Sequence, residues 1–119
     1  DAAGRILAAA GNRTRELADP TAHAELLAIR AACAAMGSER LIGCTLTVTL
    51  EPCAMCAAAI AAARLDRLVY GASDPKSGGV EAGARVFSHA QAHHRPDVIA
   101  GVAEAECAAV LKAFFAARR

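Results

Sequence analysis

This sequence predicts an α/β layer fold, on three observations. Runs with the two-residue period of strands alternate with longer runs at helical spacing, the pattern of a sheet covered by helices. Turn formers stand at the junctions between the runs. The length of 119 residues suits one domain whose core sustains itself with little to spare. Hydrophobic residues make up 55% of the chain, yet there are three Phe, one Tyr and no Trp. Much of the apolar content is alanine, so helices and sheet must pack closely and a misplaced Leu or Phe costs more than usual.

The elements follow in order. Arg5 to Ala10 reads as a short strand, ended by the Gly11-Asn12 turn signal. The polar loop Arg13 to Asp19, with Pro20-Thr21, announces a helix start. That helix runs from about Ala22 to Met36, with Leu26, Leu27, Ile29, Ala32 and Cys33 as its buried face, and Gly37 stops it. Thr45 to Leu50 alternates with β-branched residues and reads as a strand. Pro52 opens a second helix that continues to about Arg64, since proline is tolerated in a first turn. Leu68-Val69-Tyr70 is a third strand, and Gly71 to Gly79 a loop of turn formers. Gly83 to Ser88 suggests a short helical turn, and Val98 to Val102 either a strand or an extended lead-in. A last helix spans about Ala103 to Ala117 and carries Val110, Leu111, Phe114 and Phe115. No internal repeat is present.

Composition excludes several functions. A formal net charge of +1 argues against bulk electrostatic binding of nucleic acid, so any RNA contact needs a local basic patch. No signal-type apolar region or membrane-span pattern occurs, the apolar run Ala57 to Ala63 being too short. Five Cys, two of them in one C-x-x-C, do not read as a secreted disulfide framework. A cytoplasmic protein without a membrane partner is expected.

The chemistry concentrates in His23-Ala24-Glu25 and Glu51-Pro52-Cys53-Ala54-Met55-Cys56. These supply one imidazole, two thiolates and a spare carboxylate, which makes three zinc ligands, a general acid/base and no evident fourth ligand. Structural zinc sites close all four positions with protein, whereas catalytic ones leave one open for water. Water activated by a metal, with a Glu to manage its proton, is the machinery of hydrolytic attack on an electrophilic carbon. The pattern matches the His-x-Glu…Pro-Cys-x-x-Cys signature of the zinc deaminases, whose known pattern it follows.

Both halves of the motif fall at helix N-termini. Cys53 and Cys56 share one face in a first turn, where the helix dipole and the metal favour thiolates. His23 and Glu25 would diverge along a full helix, but in a first turn aimed end-on at the metal both reach the site. His23 then binds zinc while Glu25 contacts water and substrate. Two thiolates, a neutral imidazole and a dication sum to about zero charge. Metal acidification of water is therefore weaker than in an all-histidine site, and Glu25 is needed as proton acceptor.

Blander readings stand beside these. A C-x-x-C alone is often a redox pair or half of a zinc knuckle, which the His-x-Glu argues against. Cys33, Cys44 and Cys107 read as small buried hydrophobes. His89, His93 and His94 read as surface-loop residues, a metal shell being the alternative. Arg13, Arg15, Lys76, Arg118 and Arg119 read as solvated charges, phosphate contact being the alternative. Phe114 and Phe115 read as core, although one of two residues about 100° apart on a helix could line a pocket.

Further motifs resemble a known family. They are Gly11-Asn12-Arg13, Asp19-Pro20-Thr21-Ala22-His23-Ala24-Glu25, Thr47-Val48-Thr49-Leu50-Glu51-Pro52-Cys53-Ala54-Met55-Cys56-Ala57 and Tyr70-Gly71-Ala72-Ser73-Asp74-Pro75-Lys76. With Glu106-Cys107-Ala108-Ala109 and Phe114-Phe115-Ala116-Ala117-Arg118-Arg119, they look like the bacterial tRNA-specific adenosine deaminases (the TadA family) over nearly the whole chain. The Leu50-Glu51-Pro52-Cys53 form favours that family over the free-base guanine and cytosine deaminases.

The resemblance implies a cytidine-deaminase-like three-layer α/β/α sandwich around a mixed β-sheet. It implies that His23, Cys53 and Cys56 bind Zn2+ and that Glu25 is the proton shuttle. It also implies that Asn12 hydrogen-bonds the purine of a flipped base, while Asp74, Lys76, Phe115, Arg118 and Arg119 touch a tRNA anticodon stem-loop. The implied reaction is hydrolytic deamination of adenosine to inosine at the wobble position of tRNA by a zinc-activated water, in a homodimer.

The chain departs from the family at its start, where the family has a first helix and a first strand central to a five-stranded sheet. Asp1-Ala2-Ala3-Gly4-Arg5 looks like the turn into the second strand, so the family's first helix and first strand are expected to be lacking. The chain would then be a fragment, a miniaturised or split form, or a fold that pairs its strands differently. A missing central strand should leave unpaired backbone groups and an apolar gap. Ala82 to Arg95 departs as well and resembles a side branch of the superfamily.

Two other functions remain open on sequence alone. One is a small-molecule nucleobase or nucleoside deaminase, of guanine or cytosine type, on the same zinc site, favoured by the near-neutral charge and the Ala82–Arg95 segment. The other is a non-catalytic zinc-stabilised module, favoured by the short start.

Overall fold

The computed structural model describes residues 4–92 and 94–107. Its elements are α1 (Ala24–Met36), β1 (Thr45–Leu50), α2 (Ala54–Ala62), β2 (Arg67–Ala72), a 3-10 turn (Val86–Ser88) and β3 (Asp97–Ile99). The strands form one parallel sheet in the order β1-β2-β3, with Thr45 opposite Arg67 and Arg67 opposite Asp97. The α/β class read from the sequence is the one observed.

Each element follows from its residues. β1 is Thr-Leu-Thr-Val-Thr-Leu, whose alternation exposes the three threonines and half-buries Leu46, Val48 and Leu50. Parallel strands need a crossover connection, and α2 provides it between β1 and β2. Its buried residues Cys56, Ala57, Ile60 and Ala61 lie one turn apart on one face. That face joins Leu68 and Tyr70 of β2 in the core, together with Leu41, Leu65, Val80 and Phe87. Fully burying a Leu or Ile side chain contributes about 1.5–3 kcal/mol, so this cluster is the main source of stability. Gly71 points to the opposite face of β2, where an added Cβ would collide with Cys107 in a helical turn at residues 104–107. Helical chain therefore covers both faces of the sheet.

Gly37 ends α1 as expected, at φ 65°, with its own N–H bonded to Ala34 O and that of Ser38 to Cys33 O. Of the apolar stripe expected on α1, only Ala32 is fully buried, while Ile29 and Cys33 pack on the margin of the core. A groove between α1 and α2, lined by Leu26, Ile29, Cys33, Ala59 and Ala62, leaves the rest half-exposed.

Three expectations are corrected. Residues 5–10 form no strand; Ile6 is 83% exposed, while Leu7 and Ala8 rest on the core. A cavity of about 380 Å³ lies beside this segment, bordered by Leu7, Ala32, Leu41, Cys44 and Leu46. A strand is defined by a hydrogen-bonded ladder to a neighbour, and among the described residues the ladders join β1, β2 and β3 alone. For the same reason the sheet is wholly parallel among the described residues rather than mixed. The second helix begins at Ala54 rather than Pro52, because Cys53 is extended at ψ 173°, and it ends at Ala62 before Arg64 turns left-handed at φ 59°. The last helix beyond residue 107, with Phe115, Arg118 and Arg119, lies outside the described residues, as does His93. Among the described residues no helix is long and apolar enough to cross a membrane.

Candidate active site

Two helix starts build the site. Before α1, the Asp19 carboxylate accepts bonds from Thr21 N (2.9 Å) and Thr21 Oγ1 (2.7 Å), and Ala22 N donates to Asp19 O (3.1 Å). These Thr21 donors hold the Asp19 carboxyl below its ordinary range. The tight turn delivers His23 to the N-cap position of α1, extended at φ −69° and ψ 151°. His23 makes no capping bond with its side chain, which leaves the imidazole free to serve as a ligand. Asn12 supplies the missing acceptor from a distance: Ala24 N donates to Asn12 Oδ1 at 2.8 Å.

At α2 the arrangement repeats. Cys53 is the N-cap residue, again extended and without a capping bond, and Cys56 lies one turn on, fully buried. His23 Nδ1 is 3.8 Å from Cys53 Sγ and 3.6 Å from Cys56 Sγ. All three atoms lie within 4.8 Å of one another. Zinc bonds of about 2.3 Å to sulfur and about 2.0 Å to nitrogen put tetrahedral N and S ligands about 3.5 Å apart. The observed separations fit a shared cation of that size.

The electrostatics agree. The Cys56 thiol is pushed up, first by burial and then by the negative charge of Glu25 and by Cys53. Two thiols and a carboxylate crowded on one imidazole can all be anionic only around a positive charge, so the donor set suits a divalent ion. Glu25 lies outside this cluster in the first turn of α1, near enough for its charge to help push up the Cys56 thiol. The structure thus brings together all four residues that the sequence placed at one site.

The other expected site residues divide. Asp74 and Lys76 sit in the loop after β2, at the carboxyl end of the parallel strands, where such sheets hold their ligands. That loop touches the turn before α2 through an antiparallel bridge between Cys53 and Gly78. Asp74 Oδ1 accepts from Lys76 N (3.1 Å) and Ser77 N (3.0 Å), which folds the loop tip and leaves Lys76 exposed. His89 and His94 stand apart from the cluster: His89 Nδ1 accepts from Gln91 N (3.2 Å), and His94 Nε2 donates to Leu65 O (2.6 Å).

Sequence reasoning missed Glu51. It is 2% exposed, and its carboxylate accepts five hydrogen bonds from residues 73–82. Burial alone would raise its carboxyl; the N–H groups of Ala82, Asp74, Val80 and Glu81 outweigh that and hold it below the ordinary range. The only sequence signal was a carboxylate wedged between an apolar strand and Pro-Cys, with Gly78-Gly79 downstream.

Comparison with known proteins agrees with this geometry. A family profile described as MafB19-like deaminase matches residues 2–119. The tRNA-specific adenosine deaminase of Agrobacterium fabrum is 60% identical over 116 residues, covering 98% of this chain and 76% of that one. A solved tRNA:A34 deaminase, from a study of A-to-I editing at the wobble position, superposes with a TM-score of 0.88 at 62% identity, over 90% of this chain and 78% of that one. The guanine deaminase of Nitrosomonas europaea shares the fold at a TM-score of 0.68 and 24% identity, over 90% of this chain and 64% of that one. By profile, sequence and fold, the chain belongs to the MafB19-like deaminases and to the tRNA-specific adenosine deaminases.

Proposed function

We propose that this protein converts adenosine to inosine at the wobble position of a tRNA by hydrolytic deamination. Zn2+ would be held by His23, Cys53 and Cys56, with Glu25 as the catalytic residue. The observation that carries this reading is the convergence of His23 Nδ1 with both Sγ atoms at two facing helix starts, with Glu25 beside them. The 60% identity to a tRNA-specific adenosine deaminase supports the substrate class.

When bound, zinc supplies the Lewis acidity that lowers the cost of deprotonating water. The rest belongs to the chain. Glu25 takes one proton from the attacking water and delivers it to N1 of the purine as the water oxygen bonds to C6. It then passes the second proton to the amino group, so that the C6–N bond breaks and ammonia leaves, while the oxygen stays as the carbonyl of inosine. Asn12 already commits Oδ1 to Ala24 N, so its NH2 end is the one that meets a purine acceptor. Asp74, Lys76 and the tail residues Phe115, Arg118 and Arg119 would meet the anticodon loop. We read residues 1–119 as one deaminase domain, acting in the cytoplasm as a homodimer.

The test is ammonia release by zinc-loaded protein from four substrates: an anticodon stem-loop with a wobble adenosine, free adenosine, cytosine and guanine. Turnover on the stem-loop alone is expected. Turnover on a free base with none on the stem-loop would overturn the substrate assignment.

A further inference from the structure

Residues 51–53 and the loop 73–82 are joined at several points. Glu51 N donates to Ala72 O and Gly79 N to Pro52 O, both at 2.8 Å, and Cys53 bridges Gly78. The Glu51 side chain completes the joint, one oxygen to each end of the loop. Oε1 accepts from Ser73 Oγ (3.3 Å) and Asp74 N (3.1 Å). Oε2 accepts from Val80 N (3.1 Å), Glu81 N (3.0 Å) and Ala82 N (3.1 Å). A Cβ on Gly78 would run into this carboxylate, and one on Gly79 into the backbone of Cys53 and Ala54, so the loop lies in direct contact with the start of α2.

We propose that Glu51 is a positioning residue that registers the substrate-facing loop on the metal site. By clamping both ends of the 73–82 loop two residues before Cys53, it sets where Asp74 and Lys76 stand relative to the reacting centre. The geometry leaves Glu51 no direct part in the chemistry, since it is 2% exposed and both oxygens are occupied. A carboxylate suits the position because both of its oxygens accept; an amide offers one acceptor and one donor, and a donor there faces other N–H groups. The inference rests on the reading that residues 74–76 meet the RNA.

The test compares wild type with Glu51→Gln as zinc-loaded full chains. In wild type, amides 80, 81 and 82 are expected to resist hydrogen exchange well beyond those of the exposed Gly83 and Ala84. In Glu51→Gln, exchange at one end of the loop should rise on the order of tenfold while the amides of α2 stay protected. KM for the stem-loop should rise on the order of tenfold, the loop now being ordered only on binding, with kcat changed by less than about twofold. A merely structural role predicts the reverse, a kcat that falls with the zinc-loaded fraction at unchanged KM, and that result would overturn the proposal. So would unprotected amides at 80–82 in wild type, a measurement that does not depend on the variant folding. Lys76→Ala separates the underlying reading: with loop exchange as predicted, an unchanged stem-loop KM in that variant would refute the RNA contact and leave the clamp standing.

Discussion

Replacing Asn12 tests whether one side chain serves both the frame and the substrate. Its Oδ1 accepts from Ala24 N at 2.8 Å and stands in for the N-cap that His23 does not provide. Loss of a capping acceptor costs about 0.5–2 kcal/mol, and the exposure of this bond argues for the middle of that range, about 1 kcal/mol. In a domain of this size that lowers Tm by roughly 3–5 °C. Asn12→Ala should therefore show that drop, measured by calorimetry on zinc-loaded protein. Asn12→Asp keeps an acceptor at the same reach and adds negative charge at a helix N-terminus, so its Tm should match wild type or exceed it slightly. Only the NH2 donor is lost in that variant, and kcat/KM on the stem-loop should fall on the order of tenfold or more. An Asn12→Asp protein as unstable as Asn12→Ala would refute the capping role. One with wild-type turnover would refute the use of the donor on substrate.

The remaining predictions concern core and metal. Ile60, fully buried between α2 and the sheet, should cost about 2–5 kcal/mol when cut to Ala, seen as a lower urea midpoint at an unchanged m-value. Stripping the metal with a chelator should lower stability by on the order of 4 kcal/mol relative to protein held with zinc a thousandfold above its Kd. Cys53→Ala and Cys56→Ala should each lose both zinc and that stabilisation, read by metal content and Tm; stoichiometric zinc retained in either would end the three-ligand assignment.

The parts of the fold that could be read in advance are those whose causes lie close together in the chain. The threonine alternation of β1 and the Gly37 stop are local facts. The clustering of His23, Cys53 and Cys56 was legible because each half of the motif fixes its own geometry at a helix start. Residues 5–10 have a strand's composition, but a strand is defined by its ladder, and among the described residues the ladders join β1, β2 and β3 alone. The Glu51 clamp was invisible for a related reason. Its donors lie 22 to 31 positions downstream and are mostly backbone N–H groups, which carry no side-chain signature. The Asn12 cap, 12 positions from Ala24, was hidden in the same way behind a residue read only for its contact with substrate.

Glu25 carries the central claim, since it alone separates a deaminase from a protein that merely binds zinc. Zinc content and inosine formation in a wobble-adenosine stem-loop should be measured side by side on wild type and Glu25→Ala. Stoichiometric zinc in both proteins, with inosine formed only by wild type, is the expected result. Loss of the metal from the variant would make Glu25 a ligand, and continued inosine formation would remove it from the chemistry; either would contradict the account.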